Sequence, residues 1–262
     1  MRSTASVSIV FGLVSVPVKL YVSASDEALK FNLLTPSKNR IKQQNVDSVT
    51  GDVVEYDSLL KGYEFAKSQF VTFTSDELDT LALPSTKTIT IQEFVPASDI
   101  DQIQVDKSYY CGPDKGGDKG YCLLAQVMKK KGVVAIAKWS TKGKEHLVAL
   151  RPYGDRLVVQ VLFYANEVRN FEEVTVIPCL VTPSEMELAE KLVAHLTSKA
   201  FESHRYEDEY AKAVKAAVEE KVAGKEISVV TTSTQATIVD LFDALKMSLN
   251  DAKKTSPKKS KK

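Results

Sequence analysis

Val133-Val134-Ala135-Ile136-Ala137-Lys138-Trp139, His146-Leu147-Val148-Ala149-Leu150 and the run from Arg156 to Tyr164 are three short segments rich in β-branched and apolar residues. Two Gly-containing turns separate them, Lys142-Gly143-Lys144 and Arg151-Pro152-Tyr153-Gly154-Asp155. Branched side chains pack well on a pleated surface, and glycine supplies the backbone geometry of a tight reversal. The spacing predicts three strands in an antiparallel meander, the third alternating apolar residues with Gln160. The cations stand mostly at run ends and turns, where long stems reach outward without breaking a core. A sheet edged in this way can follow a phosphate backbone without reading bases.

Charge is segregated around this meander. From Lys107 to Arg156 there are eleven Lys/Arg against four acids, Asp114, Asp118, Glu145 and Asp155, a net of +7. Residues 1–106 carry nine bases and fourteen acids, and residues 157–252 sum to −7. The last ten residues, Lys253 to Lys262, add six lysines and no acid. A formal total of +1 thus hides two basic blocks on an acidic body. Clustered cations suit a polyanion, because counterion release depends on local charge and not on the net sum. A merely solvated surface is the plain alternative.

Length and composition bound the rest. A chain of 262 residues with 44% hydrophobic content has ample material for a core. No apolar stretch approaches the ~20 residues that span a bilayer. Val7 to Leu20 is apolar but interrupted by Ser8, Gly12, Ser15 and Pro17, so it reads as a strand pair or a bulged strand rather than a signal peptide. Cys111, Cys122 and Cys179 are widely spaced, which supports neither a disulfide framework nor a CxxC metal site. Free thiols point to a reducing compartment. The expected location is cytoplasmic, nucleoid-associated, or the host cytoplasm for a phage-encoded chain.

The first half reads as β-rich, with strand candidates at Ser6–Tyr21, Val53–Tyr56, Tyr63–Phe65, Gln69–Phe73 and Thr86–Phe94, and a hairpin turn at Thr50-Gly51-Asp52. Ser75 opens a short helix with Asp76 and Glu77 in its first turn. A second helix is capped by Asp118, buries Tyr121, Leu124, Ala125 and Met128 on one face, and stops at Gly132. After Pro178 come a helix capped by Ser184 with Glu187, a helix over about Glu207 to Val222, a polar stretch from Ser228 to Thr234, and a helix over about Ala236 to Asn250. The lysine tail, 253–262, is expected to be disordered.

Several motifs, taken in order, resemble the prokaryotic Ku proteins. They are Phe11-Gly12-Leu13-Val14-Ser15-Val16-Pro17-Val18-Lys19-Leu20-Tyr21, Thr50-Gly51-Asp52-Val53-Val54, Leu60-Lys61-Gly62-Tyr63-Glu64-Phe65, Tyr109-Tyr110 with Pro113, Val134 to Lys138, Glu145-His146-Leu147, Leu150-Arg151-Pro152 and Glu167-Val168-Arg169. Asp240-Leu241 and Ala244-Leu245 extend the likeness to about residue 250. The chain departs from the family where Ala5 and Val7 replace the usual Trp and Gly. It also lacks the Cys residues that some members carry near Arg40-Ile41, so no metal is expected there.

The resemblance implies a mixed β and α protein: an antiparallel β-barrel core over 1–180, a bridge over about 22–95, and a C-terminal helical arm over 181–252. Two bridges would close a homodimeric ring that double-stranded DNA enters by its ends. It further implies sequence-independent end binding in non-homologous end joining and a handover to an ATP-dependent DNA ligase. Short versions of this kind resemble those of phages. On this reading Lys38, Arg40, Lys42 and Lys61 become candidate DNA contacts from the bridge. Lys138, Lys142, Lys144 and Arg151 are the candidates that the charge pattern singles out on the barrel.

Nothing in the sequence points to catalysis, and neither a cofactor nor a metal is expected. His146, His195 and His204 belong to no HExxH-like set, and Gly112-Pro113-Asp114-Lys115-Gly116-Gly117 lacks the spacing of a phosphate loop. Two other classes remain open: a β-barrel module for RNA or single strands, with Trp139, Tyr153 and Tyr164 as stacking candidates, and a protein scaffold whose helices bind a partner.

Overall fold

The computed structural model describes residues 1–25, 28–81, 86–141 and 143–224. It forms two compact units, Met1–Phe171 and Glu172–Lys262. In the first, β1 (Ala5–Phe11) and β2 (Val14–Val22) make a hairpin whose turn sits on Gly12 at φ 58°. The chain then leaves on a long excursion holding β3 (Asn45–Val46), β4 (Val53–Val54), β5 (Lys61–Ala66), β6 (Gln69–Phe73) and the short helix α1 (Ser75–Leu81). It returns in β7 (Thr88–Pro96) and β8 (Val105–Pro113), crosses in helix α2 (Asp118–Lys131), and ends with β9 (Val133–Thr141), β10 (Lys144–Tyr153) and β11 (Arg156–Leu162).

Seven strands close a barrel in the order β1-β2-β8-β11-β10-β9-β7. The expected meander is present: β9, β10 and β11 pair antiparallel, with Leu150 opposite both Ala135 and Val159. The barrel as a whole is not purely antiparallel. β1 and β7 run parallel, Ser8 opposite Thr88 and Val10 opposite Thr90. The reason is arithmetic: strand direction cannot alternate all the way round a closed ring with an odd number of strands, so one seam must be parallel. The β1–β2 hairpin has already brought the chain back to the end where β7 begins, so the excursion between Val22 and Thr88 leaves and returns at the same end of the barrel.

Alternation along each strand sends Ile9, Val16, Val18, Leu20, Ile89, Val148, Leu150, Leu157 and Val159 into one core, all essentially inaccessible to solvent. Burying each such side chain stabilises the fold by ~1.5–3 kcal/mol. Trp139 belongs to this core and meets Tyr109 edge-on at 5.9 Å, so it is packing rather than a stacking platform. β11 does not alternate: every residue from Leu157 to Leu162 is buried, including Gln160, which stands between Ala149 and Ser108 in register.

α2 plugs one end of the barrel with Tyr121, Leu124, Ala125 and Met128, the face that its spacing predicts. Its N-cap is Gly117 rather than Asp118, which occupies the first turn. The backbone comes so close to β2 here that a Cβ on Gly117 would lie 2.2 Å from the Pro17 carbonyl oxygen. Gly132 ends the helix at φ 67°. The Tyr121 hydroxyl donates to the Cys111 carbonyl at 2.6 Å and accepts the Leu157 amide at 2.8 Å, tying α2 into the β8–β11 seam.

The excursion contains two hairpins, β3–β4 and β5–β6, the first turning through Gly51 with the Asp47 carboxylate accepting from the Val49 and Thr50 amides. In α1 the capping partner of Glu77 is Thr74, not Ser75. The second unit contains helices α3 (Pro183–Leu196) and α4 (Glu209–Val222), neither with a buried residue. α3 starts earlier than a Ser184 cap requires. Pro183 takes the first helical position, where its missing N–H costs nothing, and Thr182 forms the capping box with Glu185. The polar stretch 228–234, the helix over 236–250 and the lysine tail fall outside the described residues.

Tyr121→Phe leaves a buried carbonyl and a buried amide without their shared partner and should cost about 1–3 kcal/mol in urea unfolding at unchanged m. Burial pushes the Cys111 thiol up to about 12 from 9.0. The native protein holds the neutral thiol more tightly than the unfolded chain does. This contribution to stability is therefore complete below pH 9 and is lost as pH rises towards 12. Since the thiolate is the nucleophile, iodoacetamide at pH 8 should label the exposed Cys122 and Cys179 and spare Cys111 until the protein is unfolded.

Candidate nucleic-acid interface

The bridge candidates sit together on exposed backbone. Leu34 and Arg40 pair as an isolated bridge around a tight turn in which the Lys38 amide donates to Thr35 O at 2.8 Å. Lys38 stands at the tip at φ 63°, with Arg40 and Lys42 following on the same loop. Lys61 opens β5 opposite Phe73. All four are exposed, and none is ion-paired among the described residues.

The barrel candidates are more divided. Lys138 and Arg151 lie on the outer face, since their neighbours Ala137 and Leu150 point into the core. Lys138 bonds Glu145 on the next strand at 2.9 Å, and that carboxylate raises its pKa. Lys144 is exposed at the start of β10, while Arg151 is seven residues on, roughly 24 Å along the strand. Lys142 lies outside the described residues. The structure therefore brings Lys38, Arg40 and Lys42 onto one loop and Lys138 and Lys144 near one strand end, and sets Arg151 well along β10 from Lys144.

Counting charge along the sequence misses how the acids of the basic block are used. Asp155 is held by Lys129 at 2.8 Å, Glu145 by Lys138, and Asp114 by Lys19 at 2.8 Å. The Lys19 ammonium and the Lys115 amide keep the Asp114 carboxyl below its ordinary range. Asp118 occupies the positive end of α2. Three of the four acids are neutralised locally, which leaves Lys115, Lys119, Lys130, Lys131 and Lys144 exposed and outside any ion pair among the described residues.

Sequence reasoning also passed over apolar side chains on the excursion. Tyr63 faces Val71 across β5–β6 with Phe73 on the same face, while Phe65 lies at the register shift between Glu64 and Ala66. Tyr63, Phe65 and Val71 are all exposed, and every residue of β5 is. The alternation Tyr63-Glu64-Phe65 is the signal that could have found them. Among the described residues no group of His, Cys, Asp or Glu is placed to hold a metal, and no helix is long and apolar enough to cross a membrane.

A family model described as the Ku70/Ku80 beta-barrel domain matches residues 10–190. The chain belongs to the Ku family. Ku relatives named "Non-homologous end joining protein Ku" match along nearly all of it. The protein of Paraburkholderia phymatum is 40% identical over 98% of this chain and 85% of its own length. That of Archaeoglobus fulgidus is 36% identical over 97% of this chain and 100% of its own length. That of Koribacter versatilis is 37% identical over 94% and 86%.

If Glu145 offsets Lys138 at the barrel surface, Glu145→Gln should raise retention on heparin and steepen its dependence on log salt by about one charge. Unchanged elution would place Lys138 outside the polyanion-binding surface.

Proposed function

We propose that the chain binds the ends of double-stranded DNA without regard to sequence, as a homodimeric ring acting in non-homologous end joining. The observation that carries this reading is the β5–β6 hairpin. Two-stranded hairpins are marginal alone, and this one holds Tyr63, Val71 and Phe73 on one face, with Tyr63 and Val71 exposed and Phe73 half-buried. A second copy laid against that face would bury it and join two excursions, with Lys38, Arg40, Lys42 and Lys61 on the same stretch of chain. Loops beside the joint would meet phosphates, and phosphate contacts position a duplex without specifying its sequence. The names of the relatives support the same assignment.

Lys138, Lys142, Lys144 and Arg151 extend the contact onto the barrel in this proposal. The second unit serves a different purpose. From Ser184 to Gly224 it carries nine acids against six bases, a poor surface for DNA and a suitable one for an ATP-dependent ligase. Deleting residues 184–252 should leave end binding intact and abolish stimulation of a cognate ligase.

A ring loads by threading, so topology is the test. Linear duplex should bind, and covalently closed circles and linear duplex blocked at both ends by bulky proteins should not. Affinity should fall by roughly 10³–10⁵ between 50 and 200 mM salt if about 6–10 phosphates are contacted. Equal binding to open, blocked and circular DNA would overturn the ring.

A further inference from the structure

The barrel's outer face carries an aromatic row. Tyr21 of β2, Tyr110 of β8, Val158 of β11 and Arg151 of β10 are successive partners in register across four neighbouring strands. Their chain neighbours Leu20, Cys111, Leu157 and Leu150 point into the core, so these four lie on the outer side of the sheet, Val158 buried and Tyr21 and Arg151 half-buried. The end of β10 adds Tyr153, 58% exposed, while Tyr110 is 41% exposed. An open groove of about 1050 Å³ runs here, with Tyr21, Tyr110 and Tyr153 on its walls, backbone at Gly112 and Gly154, and Arg156 at its edge.

Its electrostatics are one-sided. The Arg151 guanidinium lies over the Tyr153 ring at 5.9 Å, and its buried Nε has no hydrogen-bond partner among the described residues. Asp155, the acid lining the groove, is taken by Lys129 at 2.8 Å. Flat aromatic faces interleaved with guanidiniums match a ligand that alternates π-faced units with anionic ones. A proline-rich peptide would use the tyrosines and leave both arginines without a partner. The groove volume lies at the upper end of that of small-ligand sites, which suits a short stacked run over a single small molecule.

We infer that this groove is a subsite for single-stranded nucleic acid, and that in the end-binding protein it takes the unpaired overhang of a DNA end. The inference rests on the function proposed above for its biological setting, but not for its chemistry. Bases stack on Tyr110 and Tyr153, the latter backed by the Arg151 guanidinium, and Arg156 meets the phosphate between them.

The experiment compares the full chain on a blunt duplex, the same duplex with a 5′ or a 3′ oligothymidine overhang, and free oligothymidine. Iodouracil in the single strand serves as a photo-crosslinker mapped by mass spectrometry. An overhang should tighten binding about tenfold over the blunt duplex, and the crosslink should fall on Tyr110 or Tyr153. The pair Tyr110→Ala with Tyr153→Ala should remove that preference and leave blunt binding unchanged, while the pair of Phe substitutions keeps both. Equal affinity for blunt and overhanging ends, or crosslinks only elsewhere, overturns the subsite and leaves end binding standing. If no duplex binds at all, the end-binding reading fails; free oligothymidine crosslinked at these tyrosines then still upholds the subsite, and its absence there overturns it. Capture of a proline-rich peptide that the alanine pair abolishes, with no oligonucleotide bound, also overturns it.

Discussion

An odd number of strands closes this barrel, and much else follows. Seven strands leave one seam that cannot be antiparallel, and here it falls between β1 and β7. β1 is already committed to a two-residue hairpin with β2. β2 ends at Val22 at the same end of the barrel where β7 begins near Thr88, so a short connection past β1 would close the seam. The excursion is several times longer, and its extra length holds two hairpins and a cationic loop that contribute nothing to the core. Barrel closure does not call for this length, and it is where assembly and phosphate contacts are located in the proposed function.

The same economy of roles appears in the charges. Asp114, Glu145 and Asp155 each sit beside a specific lysine, so the acids of the basic block fasten its own surface. Ion pairs this exposed contribute little stability, commonly under ~1 kcal/mol. Their larger effect is on the field around the barrel: they remove Lys19, Lys129 and Lys138 as free cations and leave the others to act. A surface of this kind is selective about where a polyanion lies while remaining indifferent to its sequence.

The sequence was most legible where local and tertiary preferences agreed. The β9–β10–β11 meander, the buried face of α2 and its Gly132 stop all follow from periodicity and turn chemistry, and the structure has them as expected. Helix starts were displaced by a residue or two. Thr182 outranks Ser184 because Pro183 prefers the first helical position, and Gly117 displaces Asp118 because the approach to Pro17 leaves no room for a Cβ. The parallel seam was invisible, since pairing between Ser8 and Thr88 is a property of closure and of no local pattern. Of the candidate contacts, Lys38, Arg40 and Lys42 form one group as their spacing implies. The pairing of Lys138 with Glu145, and the aromatic row that ends at Arg151, depend on strand register, which no linear count of charge contains.

The central claim is that the apolar face of the excursion is covered by a second copy of this chain. Sedimentation equilibrium of the full chain at micromolar concentration, with and without Tyr63→Asp, tests it most directly. The account predicts about twice the 28.9 kDa chain mass for the unaltered protein, and the single-chain mass for the variant with its barrel still folded. A mass of 28.9 kDa for the unaltered protein at those concentrations, or a dimer that survives the substitution, would contradict it.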